Sequence, residues 1–241
     1  MDSINNHIVI TTIFHIVITT IFIILINVFA LLHSYFFVTG RIKHRKRIQK
    51  KFQRPDLRYL KSHLPIFLVN VISLILLSGA GLYFFYDYII DISKTSIAHI
   101  VIPVFIIFIV DDIFFYFVHR LIHVNKFLYK KIHRIHHEAN MPIAVDYIYA
   151  HPLEWMVGYI GPFIGILLYG GISIYTFWLY LIIRNMHEIF IHSGVDSSSF
   201  LYKIIPFAAD NKHHDLHHKK YNCNYASTFT FWDRVSKTQL K

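Results

Sequence analysis

Hydrophobic positions in this chain fall in long runs rather than at the short spacings of a half-buried helix or strand. The first runs from about Ile8 to Val38, interrupted by His15 and His33, and contains a local duplication: Ile8-Val-Ile-Thr-Thr-Ile-Phe14 recurs as Ile16-Val-Ile-Thr-Thr-Ile-Phe22. So many β-branched residues would favour strand in water. In lipid a span must satisfy its own backbone, which favours helix. The run is too long for a signal peptide, and it has neither a basic leader nor a small-residue cleavage site. A second charge-free run covers about Leu64 to Tyr86, and a third about Ile97 to Val118 with Asp111 and Asp112 near its end. Between them lies the short acidic connection from Asp87 to Asp91.

A fourth charge-free run, Met156 to Ile183, exceeds one crossing and falls short of two, since about 20 residues cross a bilayer. Gly158, Gly161 and Gly165 allow close helix packing there, and Gly170-Gly171 sits mid-run as a candidate turn. A helical hairpin that dips into the membrane and returns, with room to be lengthened at each end by flanking residues, is favoured over a single tilted span. The pattern therefore predicts an all-α integral membrane protein of about three spans plus a helical hairpin, with a cytosolic histidine-rich helical cap. Residues 1–62 read as an N-terminal span and basic loop, and residues 63–241 as the catalytic membrane domain.

Charge fixes the orientation. Residues 41–61 are dense in Lys and Arg and carry a lone acid, Asp56. Beside a span this is the positive-inside signature and places the loop in the cytosol. The net charge of +10 is thus explained by membrane phosphates rather than nucleic acid, for which no aromatic interleaving or motif is present. Two further crossings bring residue 120 onward back to the same side, and a returning hairpin leaves residue 213 onward there too. Composition agrees with a lipid solvent: 55% of residues are hydrophobic and 16% charged, against about 25% charged in soluble domains. One cysteine, Cys223, excludes an internal disulfide or a Cys-rich metal site.

The candidate chemistry is histidine. His213-His214-Asp215-Leu216-His217-His218 holds four imidazoles in six residues. His214, His217 and His218 stand at i, i+3 and i+4 and share a helix face. His133, His136 and His137 repeat that spacing, and His119 and His123 form an i, i+4 pair. Neutral imidazole is the commonest nitrogen ligand for zinc, iron and copper. A single zinc takes four ligands, so this many histidines imply two metals. Donor preference alone leaves iron, zinc and copper open. Asp112, just before the first pair, is placed either to orient a ligand imidazole or simply where the helix leaves lipid.

The three histidine segments resemble those of the fatty acid hydroxylase and sterol desaturase superfamily, over roughly residues 105–238. Supporting segments are Asp112-Ile-Phe-Phe-Tyr116, Ala150-His-Pro-Leu-Glu154, His192-Ser-Gly-Val-Asp196, Cys223-Asn-Tyr-Ala-Ser227 and Phe231-Trp-Asp-Arg234. They are closest to the C-4 methylsterol oxidase and cholesterol 25-hydroxylase branches. Val195 and Ser236-Lys237 depart from the family pattern.

The resemblance implies two iron ions, with zinc as a possible substitute, and O2. It implies the ligands His119, His123, His133, His136, His137, His192, His214, His217 and His218, with His151 and His213 as further candidates. Asp112, Glu138, Glu154 and Asp215 are expected to hold imidazole N–H groups. His187 finds no place in this set, and His7, His15, His33, His44, His63 and His99 are structural or incidental. A membrane lipid, sterol or fatty-acyl, is the implied substrate. Electrons would come from cytochrome b5 or its reductase, as a separate protein, with the enzyme in the endoplasmic reticulum membrane and its site facing the cytosol. Hydroxylation leads; desaturation on the same scaffold, a membrane metal-binding or transport protein, and an inactive scaffold are the competing expectations.

Overall fold

A computed structural model describes residues 2–43, 46–196 and 204–240, with side chains from Val9 onward. His44 and the side chain of His7 lie outside the described residues. The chain is an all-α integral membrane protein. Its long helices are α1 (Asp2–Val38), α2 (Leu57–Ile89) and α3 (Ile97–Val124). A short turn, α4 (Lys126–Leu128), follows, and then come α5 (Pro152–Gly158), α6 (Ile160–Tyr169), α7 (Ile174–Ile191), α8 (Asn211–Lys220) and α9 (Phe231–Val235). No β-strand forms among the described residues. Among the described residues, four segments are long and apolar enough to cross a membrane: Val9–Val38, Leu57–Ile89, Ile97–Val124 and Pro152–Tyr169.

Local chemistry sets these helices. In α1 the hydroxyls of Thr19 and Thr20 donate to the carbonyls of His15 and Ile16, so β-branched residues sit in a helix without an unmatched polar group. Asp56 caps α2, Ser96 caps α3, Ser173 caps α7 and Asp210 caps α8, each accepting backbone N–H groups that the first turn leaves free. The outward faces of α1, α2 and α3 expose Leu25, Leu76, Phe84 and Phe105, as a lipid-facing surface requires.

The hairpin runs deeper than residues 156–183. Its arms extend to residues 152 and 191, and its turn lies at the far end of α2 and α3. Gly170 and Gly171 both have positive φ, 78° and 80°, which only glycine adopts without strain. Ile90 bridges Ile172, and Lys94 Nζ donates to the carbonyls of Gly170 at 2.9 Å and Gly171 at 2.6 Å. The hairpin therefore spans the depth of its neighbours. Of the three expected packing glycines, two act as such: a Cβ on Gly161 would meet Asp111 Oδ1 at 2.7 Å, and one on Gly165 would meet Ile107 Cα at 3.0 Å. Gly158 faces open space instead.

Every histidine segment lies at the opposite end, beside the basic loop. Arg47 bridges Val195, and Gln49 Nε2 donates to Asp215 Oδ1. One hydrophobic core runs across the 62/63 boundary, joining Ile23, Ala30 and Phe37 to Leu60, Ile143 and Leu181.

Candidate metal centre

Nine imidazoles meet in two groups. His119 and His123 from α3, His133 and His137 from the loop after α4, and His217 from α8 form the first. His136, His192 at the end of α7, and His214 and His218 from α8 form the second. Within each group one nitrogen of every ring lies within 4.8 Å of those of the others. The groups adjoin, with the rings of His137 and His218 4.9 Å apart. The segment that carries His133, His136 and His137 is a π turn at Tyr129–His133 followed by a 3-10 turn at His136–Glu138. That change of winding sends His136 to one group and its neighbours to the other.

The ring orientations are set from behind. Nδ1 of His119 lies 2.6 Å from the Tyr225 carbonyl, that of His217 2.7 Å from Cys223, that of His192 2.8 Å from Glu188 and that of His136 3.1 Å from Tyr149. His133 Nδ1 stands 2.8 Å from Glu154 Oε1. A carbonyl only accepts, so the Nδ1 atoms of His119, His217, His192 and His136 carry the proton and their Nε2 atoms present lone pairs, whereas His133 Nδ1 makes no hydrogen bond among the described residues. Within the groups the Nε2 atoms face one another. His133 Nε2 is 2.7 Å from that of His123, 2.9 Å from that of His137 and 3.2 Å from that of His119. In the second group, His192 Nε2 is 2.9 Å from that of His214 and 3.4 Å from that of His136, and His214 to His218 is 3.1 Å. His217 Nε2 is buried without a hydrogen-bond partner among the described residues.

Lone pairs crowded like this repel unless a cation lies among them. At about 2.0–2.1 Å per metal–nitrogen bond, ligands of one ion stand at such mutual separations. The donor set therefore fits two metal ions. Burial first, then the neighbouring imidazoles, hold His133, His214, His217 and His218 well below the ordinary histidine value, and His136 is lowered to about 3. These five rings are thus neutral, as ligands must be.

The other expected residues are placed differently. His151 caps α5, accepting from Leu153 N at 3.2 Å. His213 turns away to Asp233, Nε2 to Oδ2 at 3.0 Å. Both stand outside the two groups. Of the four acids, Glu154 alone reaches an imidazole of the groups through its side chain. Asp112 accepts from Phe229 N, tying the C-terminal tail to α3. Glu138 is exposed and meets Tyr149 Oη at 3.5 Å. Asp215 holds Gln49, and burial raises its carboxyl to about 6. His187 Nε2 stands 2.9 Å from the Ser227 carbonyl. His63 is structural: its Nδ1 is 2.7 Å from Asp146 and its ring stacks 3.8 Å from Tyr149, whose carbonyl steadies His136.

Sequence reasoning gave no role to Asp233, which accepts from Tyr225 N, Ala226 N and Thr238 and so fixes the tail that presents the Tyr225 carbonyl to His119. Arg184 and Glu188, which the spacing did not single out, are linked inside the bundle to each other and to Asp111, which is buried rather than leaving lipid. A cavity touches both groups through His119, His133, His136, His192 and His214. Phe114, Phe115, Val118, Ile122 and Trp155 form its apolar wall.

The fold and site define a helical membrane protein carrying two adjoining imidazole clusters fit for metal. The chain belongs to the fatty acid hydroxylase family, whose model matches residues 104–238 and so includes all nine imidazoles. Its relatives include methylsterol monooxygenase 1 of Rattus norvegicus, 41% identical over 133 residues, 55% of this chain and 45% of that protein. Methylsterol monooxygenase 1 of Gallus gallus is 42% identical over 130 residues, 54% of this chain and 43% of that protein. A very-long-chain aldehyde decarbonylase of Oryza sativa subsp. japonica is 39% identical over 146 residues, 59% of this chain and 48% of that protein. The chain spans about half the length of these curated relatives. No solved structure matches it significantly.

Proposed function

We propose that this chain is a membrane-bound, O2-dependent oxygenase that hydroxylates a C–H bond of a lipid, with two iron ions held by the nine imidazoles. The observation that carries the reading is the crowding of imidazole nitrogens, four of the rings oriented by backbone carbonyls, into two adjoining groups beside an apolar cavity. Iron bound there supplies the redox chemistry by which O2 attacks an unactivated C–H bond. The protein's own work is to orient and exclude. The Tyr225, Cys223, Glu188 and Tyr149 carbonyls hold His119, His217, His192 and His136 in the ligating tautomer. Phe115, Val118, Ile122 and Trp155 seat the lipid and keep bulk water from the imidazoles.

The balance, one lipid C–H and O2 with two electrons and two protons giving C–OH and water, needs an outside reductant. Cytochrome b5 or its reductase is the proposed donor. The basic loop shares the end of the bundle with the imidazoles, which supports an active site facing the cytosol and residence in the endoplasmic reticulum membrane. A transport role would line a path across the bilayer with ligands, whereas these nine gather at one end.

The test is anaerobic purification after iron supplementation, with elemental analysis, followed by lipid profiling of expressing cells. Two irons per chain and a new oxygenated lipid are expected. Fewer than about one metal per chain overturns the reading, because ligands this committed should retain metal. An alkene product instead of an alcohol assigns the same scaffold to desaturation.

A further inference from the structure

The first arm of the hairpin, α5 and α6, changes its distance from α3 along its length. At the imidazole end Glu154 Oε1 lies 2.8 Å from His133 Nδ1. At the deeper end Gly161 and Gly165 close on α3: an added Cβ would meet Asp111 Oδ1 at 2.7 Å and Ile107 Cα at 3.0 Å. Gly158 stands between them. It follows Glu154 by four residues, so it lies on the same helix face, one turn or about 5.4 Å further along. A Cβ there would meet no atom within 4 Å. Gly158 lines the cavity together with Glu154, and with Phe114, Phe115 and Val118 of α3.

The backbone at 158 does not ask for glycine. The residue is helical and is not among the glycines with positive φ. A helical glycine is less favourable than alanine, and protein interiors are close-packed, so a gap left beside a helix is destabilising. Close approach to α3 explains Gly161 and Gly165. At Gly158 the missing side chain produces only space, and that space adjoins the imidazole groups. We infer that Gly158 is a specificity-determining residue: its missing side chain makes room for the hydrocarbon body of the lipid one turn beyond the reacting carbon, and so sets the width of lipid the cavity accepts. This rests on the proposed lipid-oxygenase reading and adds to it a residue that touches the substrate.

The experiment measures binding, so it reads independently of turnover. The full chain, metal-loaded in detergent, is titrated with three tritiated alcohols that share a hydroxyl and increase in width: hexadecanol, phytanol and cholesterol. The quantity read is the affinity of each wider probe relative to hexadecanol. Gly158→Ala adds one methyl and is expected to lower the cholesterol ratio roughly 10-fold, and Gly158→Leu roughly 100-fold or more, the scale of a methylene misfit in an apolar pocket. The phytanol ratio should fall less. Both variants should keep their metal, and Gly158→Ala should melt no lower than wild type, because its methyl meets no protein atom. Gly81→Leu is the control. Gly81 on α2 also has nothing within 4 Å of an added Cβ but does not line this cavity, so the ratios should not move.

If Gly158→Leu does not fold, Gly158→Ala carries the test. Ratios that stay within about threefold of wild type in a folded variant, an equal fall in Gly81→Leu, or a wild type that binds none of the three alcohols overturns the proposal. Loss of metal or a lower melting temperature in Gly158→Ala overturns it too, since the glycine would then be structural. Failure of the oxygenase reading shows separately, as absent metal or absent oxygenated product in the wild type with the binding ratios still shifted by the variants.

Discussion

His213 and His217 stand four residues apart on α8, yet their replacement should have opposite signatures. His217 is fully buried, gives Nδ1–H to the Cys223 carbonyl and points a bare Nε2 into the first group. His217→Ala removes one of five imidazoles there. The loss of metal affinity at that group should be at least that of an outer-shell change, about 10–100-fold, or about 1.4–2.7 kcal/mol. His213→Ala removes one of Asp233's four partners, the others being Tyr225 N, Ala226 N and Thr238. A hydrogen bond to a carboxylate contributes about 1.5–3 kcal/mol, which in a chain of this size lowers the melting temperature by about 3–12 °C. The metal count should stay at two. Elemental analysis and a thermal melt on each variant make the comparison. Loss of metal from His213→Ala, with both metals retained in His217→Ala, would refute the assignment of rings to groups.

The membrane plan and the imidazole clusters were legible because both are written locally. Charge-free runs mark the spans, and paired glycines at 170 and 171 mark the turn. What spacing cannot show is direction. His213 and His217 are i, i+4 on one helix, so periodicity treats them alike. They are separated by Asp233, which arrives from the tail and takes His213 for itself. Similarly, His136 leaves its sequence neighbours because the backbone changes from a π to a 3-10 turn between them. The acids adjoining the histidines were poor guides, since neighbours in a helix face different ways: Asp112 and Asp215 reach Phe229 N and Gln49. The groups that steady the rings are mostly backbone carbonyls, at Tyr225, Cys223, Glu188 and Tyr149. A carbonyl is present at every residue, so sequence carries no signal for it.

Glu154 Oε1 lies 2.8 Å from His133 Nδ1, so Glu154→Gln, which keeps an oxygen there, should hold metal nearly as well as wild type, whereas Glu154→Ala should weaken retention about 10–100-fold in a chelator competition. Equal retention by both would remove Glu154 from the site. Glycosylation acceptors inserted near residue 52 and after residue 238 should both escape modification in microsomes, while one near residue 92 should be modified, because the basic loop and tail share one end of the bundle; modification of the tail overturns that orientation.

Asp233 supplies the pH test. Burial pushes its carboxyl up, but hydrogen bonds from His213, Thr238 and Ala226 N outweigh burial and leave it below the ordinary value. The folded state therefore binds fewer protons than the unfolded one. The stabilisation is complete above about pH 4, the usual aspartate range, and is lost as pH falls through the folded value. Asp233→Asn should cost about 1.5–3 kcal/mol at neutral pH, yet lose less further stability than wild type between about pH 4 and 3. The variant should also release the first-group metal faster to a chelator at neutral pH, because Tyr225, held at its N–H by Asp233, presents its carbonyl to His119. Parallel acid limbs for the two proteins, measured as melting temperature against pH, would show that Asp233 is not the group whose protonation loosens the tail.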